Sequence, residues 1–343
     1  MRNWDALGRT LGGEQGMVRI LSIDGGGIRG IIPAMLLAEI ERRTGQAIAH
    51  MFDLVAGTST GGIIALGLTI PMCPGAPLNG AQRFVELYEH EGARIFHRSL
   101  LRAMLAVDNL TWKKYSSGGI ERVLEEYFGD SRLRDAVTDV LITSYEIERR
   151  FPFFFKSTNA RRRADYDFLA RDVARATSAA PSYFEPMKIT SGTNSEYYTL
   201  IDGGVFANNP AACALVEARA TLDGSDYLVV SLGTGSLMRS LPLNLAKYWG
   251  AARWAKPLLD IVFDGVSSTV DYQLDQLLPE ITSQVQRYYR FQVALDGSNH
   301  SLDNASPTNI TALKGLAGNL IEAESEKLDE LCEKLTKSGS QKE

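Results

Sequence analysis

The chain has 343 residues, of which 45% are hydrophobic and 22% charged, a composition that supports a sizeable folded core. Its formal net charge of −5 argues against a general binder of DNA, RNA or anionic surfaces and leaves only local basic patches for such roles. Cys73, Cys213 and Cys332 stand far apart with no CxxC pair, which points to free thiols and a reducing compartment.

Residues 1–17 read as an N-terminal extension with no apolar run suited to a signal peptide, so a cytoplasmic protein is expected. From Met17, "MVRILSID" predicts a strand and "IIPAMLLAEIERRTG" a helix with Gly45 as C-cap. "MFDLVAG" and "IIALGLTI" repeat that pattern, and the rhythm indicates βαβ units around a parallel sheet. The apolar stretch "GGIIALGLTIPMC" is shorter than the roughly 18 residues a membrane-spanning helix requires. Further strands are expected at 139–147, 151–157, 197–202 and 226–233, and helices at 78–95, 119–128, 167–177 and 209–221. The end, "AESEKLDELCEKLTKSGSQKE", reads as an amphipathic helix fraying into a polar tail. With no repeat and no low-complexity linker, a core over 18–235 followed by a helical elaboration over 236–343 on the same domain is expected.

Three glycine-marked turns carry the chemistry. In "DGGGIRG", Gly25, Gly27 and Gly30 satisfy G-x-G-x-x-G between a strand and a helix, which alone suggests a dinucleotide site. That reading lacks its acidic partner, because Asp53 begins the next strand rather than ending it, and Asp24 would repel a pyrophosphate. Free N–H groups at such a turn equally suit an oxyanion hole, and glycine lets the backbone approach closely. In "LVAGTSTGG", Ser59 stands between Gly57 and Gly61 as a nucleophile on a strand-to-helix elbow, the bland alternative being a helix cap. In "LIDGGVFANNP", a strand delivers Asp202 into Gly203 and Gly204, before a helix capped near Asn208 or Asn209, at the sheet end where ligands gather.

A serine nucleophile needs a base. His90 and His97 fall on a charged helical stretch, His50 at the entry end of the second strand, and His300 in a polar loop. None has the strand-end placement of Asp202, so a Ser59–Asp202 dyad is more economical than a triad. A partly desolvated carboxylate has the proton affinity this role requires.

These residues resemble the patatin-like phospholipase family: "DGGGIRG", "GTSTG" and "DGG" occur in the family's order, and "ATSAAPSYFEP" is similar to its passage before the catalytic aspartate. The resemblance is strong over roughly 18–235 and weak beyond it. It implies an α/β three-layer sandwich with a central, mostly parallel sheet and helices on both faces. It also implies lipid acyl hydrolysis of the phospholipase A type through an acyl-serine, with Ser59 as nucleophile and Asp202 as base. Gly25, Gly26 and Gly27, with Arg29 nearby, correspond to the oxyanion site, and neither metal nor organic cofactor is implied. The family includes plant acyl hydrolases, secreted bacterial toxins and bacterial antiviral effectors switched on by cyclic nucleotides. The segment 246–278 resembles the C-terminal part of bacterial cytoplasmic members, which implies a cyclic-nucleotide activator as a candidate partner.

A phospholipase must touch a membrane surface, as a monomer or a homo-oligomer. "FPFFF" at 151–155, flanked by Arg149, Arg150 and Lys156, and the triplet Arg161, Arg162 and Arg163 are candidates for peripheral membrane contact. Alternating phenylalanines equally fill a core, and an arginine triplet equally forms a solvated loop. "SLLRAMLAVDNLTW" at 99–112 suits a lid or a packed helix. An esterase or thioesterase on soluble acyl groups would share Ser59 and Asp202, whereas a nucleotide-binding regulator would need neither.

Overall fold

A computed structural model describes residues 16–73, 75–96, 115–192, 196–224, 226–237, 240–278, 286–295, 299 and 301–337. Residues 1–15, His97, the 99–112 segment, His300 and the terminal 338–343 lie outside the described residues.

The strands are β1 (Met17–Ile23), β2 (Leu54–Thr58), β3 (Asp139–Glu146), β4 (Phe151–Lys156), β5 (Met187–Thr190), β6 (Tyr197–Asp202), β7 (Asp226–Leu232), β8 (Ser236–Leu237), β9 (Tyr288–Phe291) and β10 (Ala294–Leu295). The main sheet runs β5-β6-β3-β2-β1-β7-β9, with β4 also paired to β3, while β8 and β10 pair separately. Strands β3, β2, β1, β7 and β9 are mutually parallel, and β4, β5 and β6 join antiparallel. The longer helices are α1 (Ile31–Thr44), α2 (Thr60–Thr69), α3 (Gly118–Phe128), α4 (Ala170–Thr177), α5 (Ala211–Thr221), α6 (Ala251–Leu277), α7 (Pro307–Ala323) and α8 (Ser325–Lys337).

The near-continuous apolar strands are explained by burial on both faces, since successive side chains point to opposite sides of a sheet. Ile20, Leu54, Ala56, Leu141 and Val229 enter one core, covered by Ala211, Ala214, Leu215 and Ala218 of α5. Those four follow i, i+3, i+4, i+7 spacing, one stripe of a helix. Leu21, Ile23, Val55, Ile142 and Val230 enter the larger core beneath α1 and α2. Each large side chain so buried contributes about 1.5–3 kcal/mol by leaving water. The result is the expected α/β three-layer arrangement with a mostly parallel sheet.

Several local departures have visible causes. Gly45 ends α1 in the left-handed conformation at φ 68, as read from sequence, and its N–H donates to the Glu41 carbonyl. The helix expected at 78–95 forms as Gln82–Glu86, a π-helical turn at Leu87–Glu91, and Gly92–Ile95. The π turn brings the Tyr88 hydroxyl against Thr60, at the start of α2. Helix α4 begins at Ala170 rather than 167 because the Asp167 carboxylate is committed to Arg132 Nε at 2.7 Å and the Arg134 N–H at 3.1 Å.

Strand β4 decides between a membrane rim and a core. Phe153 and Phe155 are fully buried against Phe168, and Phe154 meets Phe206 edge-on. Lys156 pairs with Glu217, Arg161 with Asp139 and Arg163 with Asp165. Strand alternation therefore fills the core here, and four of the flanking cations, Arg149, Lys156, Arg161 and Arg163, are paired with carboxylates.

Beyond Gly235 the chain adds β9 to the sheet, and α7 and α8 pack on α1. Strand β9, too short to stand out in the sequence, delivers Arg290. Its guanidinium clasps Asp24 in two bonds, at 3.0 and 2.6 Å, and also reaches Ser231 Oγ at 2.8 Å. Asp24 thus anchors the first glycine turn to the last strand of the sheet. Removing one member of a buried ion pair leaves an uncompensated charge, so Arg290→Leu is expected to cost about 3–5 kcal/mol. Urea unfolding of the variant measures this loss.

Candidate active site

The register of β3 creates the site. Residues 141–146 of β3 pair with β4, residues 139–143 with β2, and residues 144–146 with β6. A strand has two edges, so β2 and β6 must share the edge opposite β4. They approach from opposite directions: Thr58 ends opposite Thr143 and Asp202 ends opposite Ser144. The residue that follows Thr58 is Ser59, which is thereby driven out of the sheet toward the end of β6.

Ser59 makes this exit at φ 55 and ψ −123, a backbone conformation rarely held by a non-glycine residue. Its neighbours have no room for side chains: a Cβ on Gly57 would lie 2.3 Å from the Gly61 carbonyl oxygen, and one on Gly61 2.2 Å from that of Ile23. The Ser59 side chain makes no capping bond to α2, which disposes of the bland alternative.

A chain of hydroxyls holds the strained backbone. The Ser59 N–H donates to Thr177 Oγ1 at 2.8 Å, and that hydroxyl donates to the Thr143 carbonyl at 2.7 Å. Thr58 Oγ1 donates to the Ala207 carbonyl at 2.6 Å, so the 2.7 Å contact between the Thr143 and Thr58 hydroxyls has Thr143 as donor. The ends of β2, β3, α4 and the turn after β6 are tied together by these bonds.

Asp202 is buried, with its N–H donating to the Ala179 carbonyl at 3.1 Å. Its carboxylate accepts the Gly204 N–H at 2.7 Å and has the Ser59 hydroxyl as its side-chain hydrogen-bond partner. Burial dominates over these two donors and pushes its pKa up to about 7. Gly203 lies against Thr143, with no space for a Cβ. His50 and His90 are both exposed, and no histidine lines the site among the described residues.

The first turn divides the expected oxyanion set. The N–H groups of Gly26 and Gly27 donate to no acceptor among the described residues, and both glycines line the cavity that holds Ser59 and Asp202. Gly25 is a correction: its N–H is committed to the Asn208 carbonyl at 2.9 Å. Arg29 is a second correction, because its buried guanidinium lies within the fold and its Nε donates to the Gly26 carbonyl at 3.2 Å. It braces the turn. Gly30 sits tightly against Thr60 and Tyr88.

The cavity measures about 50 Å³ and is walled by Ile63, Tyr88, Phe96, Tyr183, Phe184 and Phe263. An apolar wall over a polar floor suits an acyl chain whose carbonyl lies at Ser59. Ser178 also lines it, with a buried hydroxyl that has no partner among the described residues. Sequence reading did not single out Thr177, Ser178 or Phe263 for roles at the site. The first two lie in the "ATSAAPSYFEP" stretch, but nothing local marks a threonine as a brace for a distant serine.

Comparison with known proteins gives a family. The patatin-like phospholipase family model matches residues 21–215, more than half of the chain. The chain belongs to the patatin-like phospholipase family. As a family member it is a lipid acyl hydrolase. It is 33% identical over 340 residues to patatin-like protein 2 of Arabidopsis thaliana, covering 89% of this chain and 83% of that one. Patatin-T5 of Solanum tuberosum is 31% identical, with 89% and 84% covered. VipD of Legionella pneumophila, a solved structure, is 12% identical with a TM-score of 0.39, covering 90% of this chain and 67% of that chain. No helix among the described residues is long and apolar enough to cross a membrane.

Thr177→Val is expected to leave the Ser59 N–H without its acceptor and lower kcat about tenfold or more with little change in KM, given about 1–3 kcal/mol for an unsatisfied buried group. Thr177→Ser should restore it; steady-state kinetics of the two folded variants provides the check. Asp202→Asn should stabilise the protein at pH 8. A carboxyl whose pKa rises on folding binds its proton more tightly when folded, so stability falls with pH between the unfolded value near 4 and about 7. The slope approaches 1.4 kcal/mol per pH unit within that window. Thermal melting of both proteins at pH 5 and pH 8 tests this, the expected gain appearing at pH 8.

Proposed function

We propose that the chain hydrolyses carboxylic esters of membrane phospholipids, as a phospholipase A, through a Ser59–Asp202 dyad. The observation that carries this reading is a desolvated Asp202, with no charged partner among the described residues, as the neighbour of a serine held on a strained elbow. Ser59 Oγ attacks the ester carbonyl and its proton passes to the Asp202 carboxylate. The oxyanion receives the free N–H groups of Gly26 and Gly27. Collapse breaks the ester C–O bond, and the alcohol leaves with the proton from Asp202. Water then gives its proton to Asp202 and attacks the acyl-serine, and the return of that proton to Ser59 Oγ releases the fatty acid. The pKa of about 7 suits both proton transfers near neutral pH.

The apolar lining of the cavity at the serine favours an apolar acyl group over a small polar substrate, in keeping with a lipid ester. Fatty-acid release from mixed phospholipid vesicles, measured for the wild type, Ser59→Ala and Asp202→Ala, is the test. Release by the wild type and at least a thousandfold loss in each variant are expected, on the scale of losing a nucleophile or its base. Cleavage of soluble thioesters without release from vesicles would overturn the phospholipid assignment. Adding a panel of cyclic oligonucleotides to the same assay reads out activation of the kind found in antiviral effectors, and detergent-free sedimentation reads out homo-oligomers.

A further inference from the structure

The core placement of Phe153 and Phe155 leaves the membrane-facing surface to be found elsewhere, and one region of the fold supplies it. Leu243, Leu245, Tyr248, Leu258 and Ile261 are all exposed, Leu243 at 80% and Tyr248 at 74%. Among the described residues, the other exposed large apolar side chains outside this segment and the far part of α6 are Met72, Val137, Ile147 and Val216, no two of them near each other in sequence. Along α6, Trp254, Leu258 and Ile261 follow i, i+4, i+7 spacing and form one outward stripe, while Phe263, Ser267 and Leu274 turn inward. Trp249 lies edge-on to Trp254 at 5.3 Å, which joins the stripe to the turn before the helix.

Charge is distributed to match. From Tyr227 to Leu259 the sequence contains no aspartate or glutamate, and it carries Arg239, Lys247, Arg253 and Lys256, in a chain whose net charge is −5. Lys247 and Arg253 stand exposed beside Tyr248 and Trp254. Exposed leucines with tryptophan, tyrosine and cations, and no carboxylate before the half-buried Asp260, are the composition of a segment that lies in a lipid interface.

The same helix also reaches the site. Phe263, two residues beyond Ile261, is a wall of the acyl cavity, and its ring lies over Gly204, the residue whose N–H binds Asp202. At about 1.5 Å per residue, Leu258 lies about 8 Å along the helix from that wall. Ile261 and Phe263 are about 200° apart around the helix, so an interface seated on the stripe lies across α6 from that wall, about 10 Å away.

We propose that Leu243 to Ile261, the turn before α6 and its first turns, is the surface that seats this protein on anionic lipid. This rests on the reading of the chain as a phospholipid hydrolase, and the test separates the two. Ser59→Ala protein, which leaves vesicles intact, is pelleted with vesicles of equal parts phosphatidylglycerol and phosphatidylcholine, and with phosphatidylcholine alone. The background protein should bind the anionic vesicles more tightly. Adding Leu243→Ser, Leu245→Ser and Leu258→Ser should lower the bound fraction at least tenfold, and Lys247→Glu with Arg253→Glu should abolish the preference for anionic lipid.

With Ser59 restored, both sets should cleave a water-soluble short-chain ester at the wild-type rate, which reports folding and the intact dyad. Unchanged vesicle binding by both sets would overturn the proposal. So would a wild-type dimer that the leucine substitutions convert to monomer without loss of vesicle binding, since the stripe would then be a contact between two copies. Failure of the wild type to cleave any ester would instead sink the hydrolase reading, and the pelleting result would stand by itself.

Discussion

Strands β2 and β6 occupy the same edge of β3 from opposite directions, so neither can continue past the junction between Thr143 and Ser144. Most of the site follows from this collision. β2 must leave the sheet at Ser59, and the glycines at 57 and 61 are the residues that permit so sharp a departure. β6 must stop at Asp202, which is therefore buried at the floor of the cavity, with a raised proton affinity. Two residues 143 apart in sequence meet because each is the last its strand can accommodate.

Such a junction is unstable by itself. It combines a non-glycine backbone at positive φ with a carboxylate removed from water, features that cost free energy and persist only when the surroundings over-determine them. The hydroxyls of Thr58, Thr143 and Thr177 provide part of that determination, each making bonds between different elements. The clasp between Asp24 and Arg290 provides another part, because it fixes the glycine turn whose Gly26 and Gly27 line the cavity. Stability and chemistry pull against each other at Asp202, the common condition of a site built to hold a reactive group.

The parts legible in the sequence are those whose causes are local. Apolar runs punctuated by glycine identify β1, β2 and α1, and the position of Asp202 at the end of an apolar strand marks it as a site residue without knowledge of the sheet order. Arg290 lies 266 residues from its partner and on a four-residue strand, so no window of sequence connects them. Gly25 and Gly26 are adjacent and chemically identical, and only the path of Asn208 decides that one N–H is occupied and the other free. Arg29 resembles a substrate-facing cation in one dimension, yet the turn folds over it. The phenylalanines of β4 fit a rim or a core equally by pattern, and pairing with β3 decides for the core.

The central claim is that Asp202, and no histidine, takes the proton from Ser59. The most direct measurement is the rate at which a fluorophosphonate labels Ser59, followed by intact-protein mass from pH 5 to pH 9 for the wild type and Asp202→Asn. The account predicts a rate that rises through a single ionisation near pH 7 in the wild type and near-absence of labelling in the variant at every pH. Labelling of Asp202→Asn at the wild-type rate, or a profile flat across that range, would contradict it.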